Sequence, residues 1–250
     1  MEDLLEVRDL SLHFGGIKAL QGVGVGIAEG ETLAVIGPNG SGKTSLFNCI
    51  TGIYQPTSGS VRFRGESILG ASPDEVTRRG IARTFQNLRL FNTMTVLDNI
   101  MVGRHLHFTK SFAAALLRLR REEIRHRRRA EEIIDFLNLE AVRKSRVADC
   151  SYGLQKRVEM GRALATEPKL LLLDEPVSGL TQEEKDEFAY WIHEIRGRFA
   201  ITVLLVEHDL RVASRLATRM IALDHGVKIS AGTPAEVQGH PDVIKAYLGE

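Results

Sequence analysis

A chain of 250 residues with 43% apolar and 26% charged side chains has the balance of an ordinary globular domain, and it can bury a sizeable core without disulfides or a structural metal. Its 33 basic and 32 acidic side chains leave a net charge of +1, so no global field draws it to nucleic acid or to anionic lipid. Cys49 and Cys150 lie far apart and outside any C-x-x-C spacing, which excludes a zinc site or a disulfide framework and fits reduced thiols in a cytosolic protein.

The N-terminus, Met1 to Leu5, is acidic and lacks the regions of a signal peptide. No apolar stretch approaches the ~20 residues that span a bilayer, so work at a membrane requires an anchoring partner. Leu4 to Phe14 alternates partly and predicts an edge strand. Thr32 to Ile36 is a short apolar run closed by a glycine-rich turn, as in a buried strand, and a helix is expected from Lys43. Ser60 to Arg64 alternates again. A helix follows with Ser72 as N-cap, Pro73 in the first turn and Gly80 as the stop.

From about Asn87 to Ser151 the composition shifts to Leu, Arg and Glu, and Ala130, Ile133, Ile134 and Leu137 share one helical face. This predicts a mostly helical insertion within an α/β domain. Seven arginines between Arg118 and Arg129 are interrupted and flanked by Glu122, Glu123, Glu131 and Glu132, the mixture of a solvated face; a phosphate-binding patch or a docking surface is the alternative. Leu170 to Leu173 and Ile201 to Val206 read as interior parallel strands. Between them Thr181 and Glu184 form a capping box for a helix reaching about Arg196. A hairpin turning at Asp224-His225-Gly226 and a capped start at Thr233-Pro234-Ala235-Glu236 complete the chain.

Gly37-Pro38-Asn39-Gly40-Ser41-Gly42-Lys43-Thr44 matches G-x-x-x-x-G-K-[ST] in full, after a buried strand and before a helix. Glycines there permit positive φ and let backbone amides approach an anion with no Cβ in the way. Amides from about Gly40 to Ser45, with the helix N-terminus, are expected to hold a β-phosphate. Lys43 would bridge β- and γ-phosphate oxygens, and Thr44 would offer its hydroxyl to Mg²⁺. The second half of such a site is an acidic strand end. Asp174 is placed to hold Mg²⁺, directly or through water, and Glu175 to polarise an attacking water. These residues define a P-loop nucleotidase, a class that includes GTPases, kinases, helicases and motors.

The segment Ser151-Tyr152-Gly153-Leu154-Gln155-Lys156-Arg157-Val158-Glu159, placed before the strand that ends Asp174-Glu175-Pro176, resembles the signature of ATP-binding-cassette (ABC) proteins. The resemblance extends over nearly all 250 residues. Gln86 in Thr84-Phe85-Gln86-Asn87 matches the Q-loop glutamine, implied to sense Mg²⁺ and touch a transmembrane partner. Ser178-Gly179-Leu180-Thr181 looks like the D-loop, and His208 in Val206-Glu207-His208-Asp209 matches the switch histidine. Phe14 matches the A-loop aromatic that stacks on adenine, with a strand-end core aromatic as the alternative.

The resemblance implies a single ABC nucleotide-binding domain of α/β class. Residues 1–86 and 165–250 would form a P-loop core with a mostly parallel sheet plus an antiparallel β subdomain, and 87–164 a helical subdomain carrying the signature. It implies two domains head to tail around two ATP molecules, so that Ser151 and Gly153 bind the partner's γ-phosphate, while His208 holds Glu175 and its water in line. Phe14-Gly15-Gly16, Arg83 to Phe91, the long insertion and the ending from Pro241 to Glu250 look like the branched-chain amino acid uptake subfamily. There, two related ATPase subunits work with two permeases and an extracytoplasmic solute-binding protein on the cytoplasmic face of the plasma membrane. Relatives import urea, amides or aromatic acids.

Cys150 and Leu154 depart from the usual leucine and glutamine of the signature, and Thr181 stands where the D-loop has Asp or Asn. Leu154 cannot hydrogen-bond to a partner's nucleotide, so the chain is expected to serve its own ATP better than its partner's, which favours a heterodimer. A soluble cassette ATPase of DNA repair or the ribosome, and a regulatory subunit with weak hydrolysis, are the rival readings.

Overall fold

The computed structural model describes residues 3–108 and 112–248, the side chains of 112–121 excepted. In chain order the elements are β1 (Leu5–Phe14), β2 (Ile17–Ile27), β3 (Thr32–Ile36), α1 (Lys43–Ile50), β4 (Ser58–Phe63), β5 (Glu66–Ser67), α2 (Pro73–Arg78), β6 (Ile81–Arg83) and α3 (Val96–Gly103). Then come α4 (Phe112–Phe136), α5 (Tyr152–Leu164), β7 (Leu170–Asp174), α6 (Gln182–Phe199), β8 (Thr202–Glu207), α7 (Leu210–Leu216), β9 (Arg219–Asp224), β10 (Val227–Gly232), α8 (Pro234–Gln238) and α9 (Pro241–Leu248).

Two sheets organise these elements. A six-stranded sheet runs β10-β9-β3-β8-β7-β6, parallel except for the antiparallel edge β10. A four-stranded antiparallel sheet runs β2-β1-β4-β5. The near-continuous apolar runs of β3, β7 and β8 have a direct cause in this layering. Ala34, Ile36, Leu171, Leu173, Val203 and Leu205 point into a core shared with α3–α8. Their neighbours Leu33, Val35, Leu170, Leu172, Leu204 and Val206 point into a second core shared with α1 and the antiparallel sheet. A sheet covered on both faces has no solvent side on which polar residues could alternate.

β1 is not an edge strand: it pairs with β2 on one side and β4 on the other. Its alternation breaks at Arg8 and Asp9, where the register shifts and Asp9 adopts φ 48°, so a β-bulge hides the period of an interior strand. Its partner β2 escaped the sequence reading. The signal was there in Val23-Gly24-Val25-Gly26-Ile27, whose apolar members are all buried.

Several local expectations hold. Ala130, Ile133, Ile134 and Leu137 are fully or almost fully buried. Capping boxes open α2, α6 and α8 at Ser72, Thr181 and Thr233. α6 runs on to Phe199, three residues beyond Arg196, and ends at left-handed Ala200. The β9–β10 turn is made by His225 (φ 44°) and Gly226 (φ 78°), the pair of positive angles a two-residue hairpin demands. In the arginine cluster, Arg125, Arg127 and Arg128 are exposed, and Arg129 pairs with Glu132 and Glu167. The side chains of Arg118, Arg120 and Arg121 lie outside the described residues. Among the described residues no helix is long and apolar enough to cross a membrane.

Candidate functional site

Sheet register brings the sequence motifs to one edge. Ile36 stands opposite Glu207, and Asp174 opposite Val206, so β3, β7 and β8 end side by side and release the P-loop, Glu175 and His208 into common space. Ligands of open α/β sheets bind at this carboxyl edge. Two P-loop glycines are forced by packing as well as by φ, and Gly40 by φ (82°) alone. At Gly37 (φ 150°) a Cβ would come within 2.2 Å of the Leu223 carbonyl oxygen; at Gly42 (φ 104°) it would lie 2.7 Å from that of Ala19. The loop is thus clamped between β9 and β2, and its amides crown the first turn of α1. Beneath them lies a cleft of about 530 Å³, lined by Asn39 to Ser45, Gln86 and Glu175, with Ile17, Lys18 and Gln21 of β2 and His225 of the β9–β10 turn.

Lys43 is buried and folds back on its own loop, its Nζ donating to the carbonyls of Gly37 (2.7 Å) and Pro38 (2.9 Å). Burial holds its pKa below the usual lysine value, against the opposing charges of Glu175, Asp174 and Glu207. Thr44 is exposed at the cleft.

Glu175, in a left-handed conformation (φ 46°), is where three motifs meet. Gln86 Nε2 donates to its Oε2 at 2.9 Å, and His208 Nδ1 lies 3.6 Å from its Oε1. Asp174, one residue earlier, turns the other way into a buried ion pair with Arg83 (2.7 Å). Glu207 is buried with its Oε1 lacking a hydrogen-bond partner among the described residues. Burial pushes its carboxyl up to about 7, although backbone N–H groups of Val177 and His208 pull the other way.

The residues after Gln86 are fastened to the helices. The Arg89 amide donates to Glu159 of α5 (3.3 Å), Arg162 of α5 donates to the Arg89 carbonyl, and Asn99 of α3 bonds both the amide (2.9 Å) and the carbonyl (3.0 Å) of Phe91. Ser151 is the N-cap of α5, accepting from the Leu154 amide at 3.4 Å. Gly153 packs so close to α6 that a Cβ would fall 2.1 Å from Glu184 Oε1. Neither Ser151 nor Gly153 lines the cleft of this chain's own P-loop.

Phe14 is 48% exposed, not a core aromatic, and meets Tyr54 edge-on at 5.2 Å; Ile17, its cross-strand neighbour, lines the cleft instead. The sequence reading assigned nothing to Lys18 and Glu207, and quoted Arg83 only within a longer match. A charged residue inside a buried strand end was the available signal for Arg83 and Glu207.

This geometry has counterparts. The profile described as "ABC transporter" matches residues 20–178. The chain belongs to the ABC transporter family. It is thereby an ABC ATPase subunit. A second profile, "Branched-chain amino acid ATP-binding cassette transporter", matches residues 227–250 of this cassette. The "High-affinity branched-chain amino acid transport ATP-binding protein BraF" of Pseudomonas aeruginosa is 40% identical over 250 residues, covering 99% of this chain and 98% of the relative. The solved ABC cassette MJ1267, in its ADP conformation, superposes with a TM-score of 0.87 at 30% identity over 100% of both chains. The cassette MJ0796, solved as a dimer in a post-hydrolysis state with ADP and Pi, superposes at 0.78 with 27% identity, covering 92% of this chain and 98% of that one.

Proposed function

We propose that this ABC ATPase drives uptake of branched-chain amino acids or related small polar solutes from the cytoplasmic face of the plasma membrane. The cargo rests on relatives such as BraF and on the matched C-terminal profile. The chemistry rests on one observation: Glu175 in the P-loop cleft, held between Gln86 and His208.

In this mechanism Gly37, Pro38 and Asn39 shape the entry of the loop, the amides from about Gly40 through Ser41, Gly42 and on to Ser45 cradle the phosphates of ATP, and Lys43 leaves its loop carbonyls to reach the γ-phosphate. Phe14 stacks on adenine from the rim. Glu175 takes a proton from the attacking water while His208 keeps carboxylate and water in line, and Gln86 reports on the γ-phosphate position. The exposed Thr44 hydroxyl, with Gln86 in the same cleft, and the Asp174 carboxylate, here paired with Arg83, are hard oxygen donors that would hold Mg²⁺. Mg²⁺ there would neutralise charge developing on the phosphates.

The second ATP-site half comes from a partner cassette. Ser151 and Gly153 lie away from this chain's own P-loop, as a head-to-tail dimer requires, and MJ0796 forms a dimer. Leu154 and Thr181 favour a heterodimer with a related subunit. An apolar groove of about 370 Å³ between the two parts of the chain, lined by Ile53, Val76, Phe85, Val102 and Ala163, suits a permease segment. The Gln86 loop borders it and is tied to α5, so the helical portion, 87–164, would move with nucleotide state against the core formed by 1–86 and 165–250. A solute-binding protein would deliver the cargo on the far side.

The experiment is Mg²⁺-dependent ATP hydrolysis by the purified chain beside Glu175→Gln, followed by leucine uptake into proteoliposomes holding the permease and both cassettes. ATP hydrolysis without leucine-stimulated transport would remove the cargo assignment and leave the ATPase.

A further inference from the structure

The first P-loop glycine is held from both sides. Its carbonyl accepts from Lys43 at 2.7 Å, and its amide donates to the Tyr247 hydroxyl, 210 residues later in sequence, at 2.9 Å. Tyr247 belongs to α9, which packs on β10 and α8 and is anchored by buried Val243 one turn before it. Apart from this bond, α9 faces the outer flank of the P-loop across a second cleft of about 540 Å³, lined by Pro38, Asn39 and Asp224 on one side and Asp242 and Lys245 on the other. The ring packs against the core, and its hydroxyl bridges from α9 to the loop.

The phenol also feels the end of β8. Burial pushes its pKa up to about 12, helped by the Glu207 and Asp209 carboxylates beside it, so it stays neutral at any working pH. A neutral phenol is a constant acceptor for the Gly37 amide. That amide points away from the phosphate cradle and, being part-buried, has a real cost if left unpaired.

Lys43 has two claims on it. Its ammonium caps the Gly37 and Pro38 carbonyls, and bridging the phosphates of ATP requires it to face them instead. One clamp on Gly37 is then withdrawn, and the other remains. We propose that Tyr247 is a positioning residue for ATP, whose hydroxyl holds the P-loop in its phosphate-ready shape while Lys43 turns from the loop carbonyls to the nucleotide. This rests on the reading of Gly37–Thr44 as the ATP site. It assigns the C-terminal helix a task in nucleotide affinity, not only in stability.

The test compares the full chain with Tyr247→Phe and Val243→Ala, using trinitrophenyl-ATP with Mg²⁺ as probe. Tyr247→Phe should weaken binding about ten-fold, the effect of one lost hydrogen bond to a part-buried amide, and raise KM for ATP with kcat nearly unchanged. Val243→Ala loosens α9 but keeps the hydroxyl, so it should lower Tm with little effect on affinity. Wild-type affinity in Tyr247→Phe, or an equal loss in Val243→Ala, overturns the proposal. Should Tyr247→Phe not fold, amide exchange at Gly37 in the wild type decides: protection that persists with ATP bound supports the tether, and protection lost on binding overturns it. Lys43→Ala is the control. If it too binds the probe normally, the ATP-site reading has failed, and not the tether.

Discussion

The Arg83 guanidinium lies 2.7 Å from the Asp174 carboxylate, with side-chain exposures of only 7% and 5%. The same arginine donates to Asn48 of α1 at 2.7 Å and lies between the rings of Phe47 and Phe85, at 5.5 and 5.2 Å from their centroids. One cation thus ties β6, α1 and the acidic end of β7 together. It gives the buried Asp174 carboxylate an opposite charge at the end of the strand that delivers Glu175 to the nucleotide cleft.

Arg83→Met strands that charge. Breaking one side of a buried pair costs about 3–5 kcal/mol, so a clear fall in Tm is expected. The double variant Arg83→Met/Asp174→Asn should recover part of the loss, since neither charge is then uncompensated. A double variant no more stable than the single one would remove the pair from the account of the fold.

Glu175→Gln keeps the shape of the side chain and its contact with Gln86 but cannot take a proton. ATP turnover should drop by ~10²–10⁴-fold while ATP binding persists and a closed dimer accumulates in size-exclusion chromatography. Hydrolysis at a tenth of the wild-type rate or more would assign proton removal to another group.

Glu207 predicts a pH dependence of stability. Its folded pKa of about 7 lies above the unfolded value of 4.5. Below 4.5 both states hold the proton and the group contributes nothing. Between 4.5 and about 7 only the folded state holds it, so stability falls as pH rises, by roughly 3 kcal/mol in all. Glu207→Gln removes the penalty. Thermal melts of the two proteins should diverge from pH 5 to pH 8, with the variant the more stable at pH 8; parallel curves would show that Glu207 is ionised throughout.

Leu154 packs partly against the helical core, and its backbone amide bonds Ser151. Leu154→Gln supplies a donor facing the partner's nucleotide. In the proposed heterodimer this should raise ATP turnover, by about two- to ten-fold for one hydrogen bond made in the closed state. An unchanged rate would sink the idea that the two ATP sites are unequal.

The P-loop was legible because its chemistry is local: glycines, lysine and threonine at fixed spacing build a phosphate cradle wherever a strand meets a helix. Strands β3, β7 and β8 were legible because burial on both faces confines polar residues to the strand ends and leaves the middle of each run apolar. Capping boxes at Ser72, Thr181 and Thr233 announced their helices through the side chains that satisfy the first amides. Where periodicity was interrupted the reading failed, as at the Asp9 bulge that disguised β1 as an edge.

Sequence by itself determined which residue types stand ready for nucleotide chemistry and in what order they come. Only the tertiary structure decided their partners. Arg83 reaches Asp174 across 91 positions, Gln86 reaches Glu175 across 89, and Tyr247 reaches Gly37 across 210. Contacts at such separations leave no periodic trace in the chain, because they arise from strand order and register, which are set by the two cores as a whole.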